Sequence, residues 1–336
     1  MSLLVLMNVS LFALLVATAI AVTRLRALYE ATMLTALAGL LSASLFVSLD
    51  ALDVAITEAA VGTGISTVLF LVALALTRSR EAVTPPRKLW SGAAVALLLG
   101  ATLVYASQDL PSFAEPDTPV QTHPVTETYL QDSQEDVGIP NTVAAVLASY
   151  RGYDTLGELV VIFTAGVTVP LLLMRTRRRT DRDGDEVRDE ARANVMSEYR
   201  VLRVASKILM PFILIFAFYV LFHGDYGPGG GFQAGVIFAA GFVLYGLVFG
   251  IRSVERVLPW PAMLALLPAG VLLYAGLGIV NMALGGSFLD YGTLVPDHPK
   301  EGQHLGILVI ETGVGITVAA VLIAVFYSFA NRGARR

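Results

Sequence analysis

The sequence predicts an all-α polytopic membrane protein with about nine transmembrane helices, its N-terminus outside and its C-terminus cytoplasmic. Three observations lead there. Over 336 residues, 55% are hydrophobic and the mean hydropathy is +0.69, more apolar surface than a soluble core can bury. The apolar residues fall into nine stretches, each long enough to cross about 30 Å of hydrocarbon at about 1.5 Å per residue. The basic residues are segregated between alternate connections, as expected of cytoplasmic loops.

The first stretch, near 3–22, lacks a basic leader and a small-residue cleavage site, so it reads as a retained helix rather than a signal peptide. The second, near 28–48, follows Arg24 and Arg26. The third, near 54–77, is unusually polar, and the fourth, near 89–107, begins after Arg87 and Lys88. An outer segment at 108–138 follows, with Pro111, Pro116, Pro119 and Pro124 among many acids. It reads as an irregular loop. The stretch 141–150 is apolar but too short to span, and suits a helix lying at the interface. The fifth span lies near 156–174. An alternating-charge run from Arg175 to Lys207 then reads as a solvated inner linker between a five-helix and a four-helix half. The remaining spans lie near 204–222, 232–251, 262–283 and 305–329. With the N-terminus outside, all of the 23 basic residues except Arg151 and Lys300 fall on inner segments.

Composition also excludes functions. With no cysteine there is no disulfide, thiolate metal site or iron–sulfur ligation. No basic stripe interleaved with aromatics points to nucleic acid. There is neither a Ser/His/Asp arrangement nor a His-Glu-x-x-His, so no independent enzyme is expected, and no cofactor.

An ionisable group inside a spanning helix costs a few kcal/mol unless paired, and marks an ion path or a buried pair. Glu58 lies in the third span with Asp53, Thr63 and the small residues Gly62 and Gly64, which permit close helix contact or a π-bulge. Glu158 follows Arg151 and Asp154, with Asp154 and Glu158 on one face at i, i+4. Arg151 and Asp154 read as an interfacial clamp. Glu311 shares a face with His304, two turns away, and Gly313 and Gly315 follow it. For each acid the plainer reading is a polar helix contact; the functional one is an outward-facing half-channel for cations or protons. Candidate ion-path residues are therefore Glu58, Glu158, Glu311, Asp154, Asp53 and Thr63. Between the sixth and seventh spans lies His223-Gly-Asp225-Tyr-Gly-Pro228-Gly229-Gly230-Gly231. No Gly-Lys-Ser/Thr follows, which disfavours nucleotide. Pro and Gly break the helix, and backbone freed at membrane depth must be covered by protein. The segment reads as a re-entrant or docking turn in which His223 and Asp225 could pair. Two ligands are too few for a resident metal, leaving only transient Na+.

Three stretches together resemble known modules. Asp53-Val-Ala-Ile-Thr-Glu58 resembles the D-type component of membrane-bound hydrogenases, also part of the extension of the large A-type component of Mrp-type Na+/H+ antiporters. Asn141 through Arg151-Gly-Tyr-Asp154-Thr-Leu-Gly-Glu158 resembles the E-type component. Phe222 through Gly235, with Gly306 through Gly315, resembles the B-type component of the antiporters. Ser149 departs from the E-like pattern, which usually carries Asp there. The resemblance implies a D-like module over 1–80, an E-like module over 81–175, a cytoplasmic linker over 176–203 and a B-like domain over 204–336. It further implies a non-catalytic subunit of a Na+/H+ antiporter in the bacterial cytoplasmic membrane. Its partners would be large A- and D-type antiporter-like subunits, small membrane subunits, Na+ and H+, with Glu58 at the family's intramembrane acid. The same module in a hydrogenase or respiratory-type complex, and a purely structural scaffold, remain alternatives.

Overall fold

The computed structural model describes residues 3–77, 86–112, 115–173 and 200–333. Among these, all regular structure is helical, and nine helices are long and apolar enough to cross a membrane. They are α1 (Leu3–Arg24), α2 (Leu28–Ser48), α3 (Leu52–Glu58, continued through π-helical Ala59–Ile65 into Ser66–Thr77), α4 (Pro86–Ala106), α5 (Gly152–Leu173), α6 (Arg200–His223), α7 (Gly231–Phe249), α8 (Trp260–Ala283) and α9 (Pro299–Gly333).

Several helices run further than apolarity alone indicates. α5 starts at Gly152, which places Asp154 in its first turn, where a carboxylate complements the helix dipole. α6 starts at Arg200, so the end of the expected linker over 176–203 is helical, and residues 176–199 of that linker lie outside the described residues. α9 starts at Pro299, whose fixed φ suits a first helical position. The outer segment is not the irregular loop expected. It holds short turns at Pro119–Thr122, Pro124–Glu127, Thr128–Asp132 and Ser133–Asp136. Pro119 and Pro124 each open a turn, and the His123 imidazole caps the second by accepting from Val125 N–H.

The core is built around α9, of which 61% of the spanning window is buried. It packs against α5, α7, α8, the Tyr291–Leu294 turn and the lower part of α3. α5 lies against α8 and α9, α1 packs on α2 and α2 on α3, and the upper part of α3 also meets α7. Hydrogen bonds fix α5 there: Tyr274 Oη donates to the Gly152 carbonyl (2.8 Å) and Tyr291 Oη to the Ala148 carbonyl (3.0 Å). Both rings are fully buried. The 141–150 stretch is helical (Thr142–Ala144, then π-helical Ala145–Tyr150), and its alanine face, Ala144, Ala145 and Ala148, packs into the protein's own core. By contrast, no residue of the α4 spanning window is buried.

Small residues set the helix spacing, as is usual where lipid supplies no hydrophobic drive between helices. A Cβ on Gly270 of α8 would overlap the Gly313 carbonyl oxygen and Thr317 Oγ1 of α9. Gly276, on the same helix, has open space around it. Gly270→Ala should therefore force α8 from α9 and destabilise the chain by roughly 1–3 kcal/mol, the usual cost of overpacking. Gly276→Ala should be neutral. Thermal unfolding of the two variants in detergent, followed by size-exclusion, checks this; equal melting temperatures would contradict the packing described.

Candidate functional site

The turn between α6 and α7 leaves the helix, and its buried backbone groups must find partners within the protein. Gly227 N–H donates to the His223 carbonyl (3.0 Å) and Gly230 N–H to the Val220 carbonyl (3.1 Å). Gly230 has φ +128, a conformation L side chains rarely adopt. At Gly231 a side chain would overlap the backbone carbonyl of Glu311, so the first turn of α7 rests directly on α9. The remaining groups are met by two other segments. Asn141 Nδ2 donates to the carbonyls of Gly224 and Gly227, both at 2.8 Å, and Asn141 N–H donates to the Asp225 carbonyl (3.1 Å). Asp53 Oδ1, on α3, accepts Gly229 N–H (3.1 Å) and lies 3.4 Å from Asn141 Nδ2. The Asn141 Oδ1 also caps its own helix, accepting from Val143 and Ala144 N–H. Gln233 Nε2 donates to Thr57 Oγ1 (3.0 Å), joining α7 to α3.

Behind this turn is a cavity of about 320 Å³. Its polar lining is Asp53 and Thr57 from α3, Thr155 and Glu158 from α5, Gln233 from α7 and Glu311 from α9. At about 30 Å³ per water it has room for roughly ten waters or a partly hydrated cation. Glu311 Oε2 is enclosed and has no hydrogen-bond partner among the described residues. A Cβ on Gly224 would stand 3.0 Å from that oxygen, and one on Gly230 would stand 3.2 Å from Glu311 Oε1. The glycines of the turn thus bring bare backbone up to the carboxylate.

Of the acids singled out in the sequence, Asp53, Glu158 and Glu311 meet at this cavity. Glu58 does not line it. Its side chain folds over Gly62 in the π-helical part of α3. Thr63 lies against Gly39 of α2, its Oγ1 enclosed without a partner. Asp154 is exposed and accepts from Arg151 Nε (2.7 Å), the expected clamp. The pairing of His223 with Asp225 does not occur. His223 closes α6 with its ring stacked on Tyr219 (centroids 4.9 Å apart) and lying against Gly227. Asp225, just beyond the helix end, turns to α9 and meets His304 Nδ1 at 2.5 Å, an ion-pair contact rather than an aligned hydrogen bond. Burial pushes the Asp225 carboxyl above the ordinary carboxylate range, and the imidazole works against it. Pro228 is half-buried, and Gly229, Gly230 and Gly231 are buried. Ser149 donates to Gln303 Oε1 (3.0 Å). Among the described residues no group of three His, Asp or Glu could hold a metal. Sequence reasoning gave no role to Asn141, Thr57, Thr155 or Gln233. Pro140-Asn141-Thr142 before an apolar run is a helix-capping signal that marks Asn141; nothing local marks the others.

Three family descriptions match successive parts of the chain. The MbhD family, the D-type component of MBH, matches residues 13–79, and the MbhE family, its E-type component, matches residues 91–187. The MnhB family, described as a domain related to the MnhB subunit of Na+/H+ antiporter, matches residues 201–324. A Staphylococcus haemolyticus protein named as a putative antiporter subunit mnhB2 is 34% identical over 133 residues, 39% of this chain and 94% of the relative. The chain belongs to the MnhB-related family of antiporter subunits. A Rhizobium meliloti protein named as a probable K+/H+ antiporter component of combined A/B type is 27% identical over 238 residues, covering 64% of this chain. This chain spans only 23% of that relative. Among solved structures, the Mrp complex from Dietzia sp. is similar with a TM-score of 0.74 and 27% identity, over 95% of this chain and 34% of the Dietzia chain. The membrane-bound sulfane sulfur reductase, an archaeal respiratory membrane complex, is similar with a TM-score of 0.54 and 27% identity, over 72% of this chain and 98% of that one. This family member thus carries D-like, E-like and MnhB-like modules in one chain, and its cavity takes polar groups from all three. Its relatives are named as antiporter subunits, and it is a multi-pass membrane protein by its helices.

Because Asn141 ties the turn to the 141–150 helix, Asn141→Ala should free the carbonyls of Gly224 and Gly227 and lower the local opening energy by roughly 1–3 kcal/mol. Hydrogen exchange at the amides of residues 224–230 should rise, with α8 unchanged. Unaltered exchange in the turn would contradict the clamp.

Proposed function

We propose that the chain is a membrane subunit of a multisubunit monovalent-cation/proton antiporter, and that Asp53, Glu158 and Glu311 form part of its ion path. The observation that carries this reading is Glu311, a carboxylate within an apolar span with an enclosed, unpartnered oxygen, beside a cavity that also takes Asp53 and Glu158. Such a group is costly unless proton or cation binding offsets it. The cavity's carboxylates, hydroxyls and amide are hard oxygen ligands suited to a small cation or to water. Glu58 and Thr63, on the π-helical side of α3, extend the path beyond the cavity, and Asp154 with Arg151 holds the start of α5.

The partners in this reading are large A- and D-type antiporter-like subunits and small membrane subunits, in the bacterial cytoplasmic membrane. The bare flanks of α4 fit lipid or such partners. The segregation of basic residues supports an outside N-terminus and a cytoplasmic C-terminus. Module boundaries at 1–80, 81–175, 176–203 and 204–336 are part of the same proposal. Relatives named for Na+ and for K+ leave the cation's class as monovalent. A second reading, a respiratory-type complex, is favoured by the likeness that covers 98% of a sulfane sulfur reductase chain.

The test is antiport by the assembled complex in everted vesicles. Glu311→Gln and Glu158→Gln should each abolish most Na+- or K+-dependent proton movement without loss of assembly, and Arg151→Ala should retain most of it. Wild-type antiport in both glutamine variants would leave only the scaffold role. Cation-independent proton movement coupled to a redox donor would favour the respiratory reading.

A further inference from the structure

We propose that His304 and Asp225 form the proton port of the cavity, taking protons at the protein surface and passing them across Gly224 to Glu311. This rests on the ion-path reading above and assigns one of its two ions to a route. His304 is 44% exposed while Asp225 is 4% exposed, so the pair runs from solvent to interior over one 2.5 Å contact. Gly224 precedes Asp225 in the chain and abuts Glu311 Oε2 on its other side. His304 and Glu311 sit two turns apart on α9, about 10.5 Å along its axis, too far for a direct hop. In the proposed route Asp225, next to Gly224 in the turn, is the intermediate carrier between the two.

The surroundings leave few other routes. From α9, Asp225 meets His304, and Glu311 lies near enough for the two carboxylate charges to act on each other; from α3, Asp53 is turned to Gly229 N–H and Asn141. His223 is stacked on Tyr219, and Tyr226 meets the His304 ring edge-on (6.1 Å). Lys300, lower on α9, packs on Gly138.

A proton from the medium binds His304 Nε2. The Nδ1–H bond breaks and its proton forms a bond to Asp225 Oδ2, leaving a neutral imidazole. Asp225 then releases that proton, which a water carries to the Glu311 carboxylate, and rotation of the half-exposed ring turns the Nε2–H toward Asp225 for the next transfer. One proton moves and no electron is exchanged. Histidine suits the first position because its ordinary titration lies near neutrality and its two nitrogens bind and release on opposite sides.

The experiment uses the whole complex in vesicles, at saturating Na+ or K+, with the pH varied on each side separately. His304→Ala should slow antiport by about 10²-fold, the scale of a lost positioned proton transfer. The loss should steepen with alkaline pH on the turn's side only, the cation KM should stay within the wild-type range, and imidazole added on that side should restore much of the rate. His304→Asn keeps an N–H toward Asp225 but cannot relay, and should be equally slow; Asp225→Asn should be slow and resist imidazole. Wild-type rates in His304→Asn would overturn the port, as would a uniform loss in His304→Ala with no imidazole effect. Glu311→Gln, run in parallel, separates the port from the cavity. If it is inactive while His304→Asn is normal, only the port fails. If it is normal, the cavity reading fails with it.

Discussion

Glu311 and the helix-free turn around it impose one requirement on the rest of the molecule: buried polar groups must be answered by protein. An unmet buried group costs about 1–3 kcal/mol. The chain answers with side chains from distant segments. Asn141 takes the carbonyls of Gly224 and Gly227, Asp53 takes the Gly229 N–H, and Gly231 lets α7 rest on the α9 backbone. These bonds need α3, the 141–150 helix, α7 and α9 in one place at once. The D-like, E-like and MnhB-like modules are therefore joined through the polar turn as well as through the apolar core.

The same requirement explains why α9 is central. It supplies the carboxylate at the cavity, the imidazole that meets Asp225 and the small residues on which α7 and α8 close. Close contacts at Gly231, Gly235 and Gly270 leave little freedom for α9 to shift, so Glu311 is held on a rigid element. The π-helical turn in α3 does the opposite. It interrupts the regular ladder next to Glu58 and lets Gly62 and Thr63 approach α2 at Gly39. Rigidity on the α9 side and a looser ladder on the α3 side are what a path with a fixed exchange site and a deformable wall would need.

Much of this was legible in the chain as written. Apolar runs of spanning length and a one-sided distribution of Arg and Lys pointed to nine helices, because lipid permits few alternatives to a helix. Glu58, Glu158 and Glu311 stood out because charge is expensive in an apolar span, with Asp53 as a neighbour of Glu58. Asn141 did not, because a neutral amide at the start of a short helix looks like an ordinary cap. His223 appeared the natural partner of Asp225 through nearness in sequence, yet the helix end turns Asp225 away to His304, far along the chain. Nor does α5 carry any local mark of its packing on α8 and α9.

The sequence by itself determined that this is a helical membrane protein, where its spans lie and which carboxylates fall within apolar runs, because each follows from local apolarity and the cost of burying charge. Only the tertiary structure decided which acids share a cavity, that Glu58 stands apart from it and that Asn141 clamps the turn. Those outcomes depend on contacts between residues tens to hundreds of positions apart, and helix packing, not local pattern, sets which faces meet.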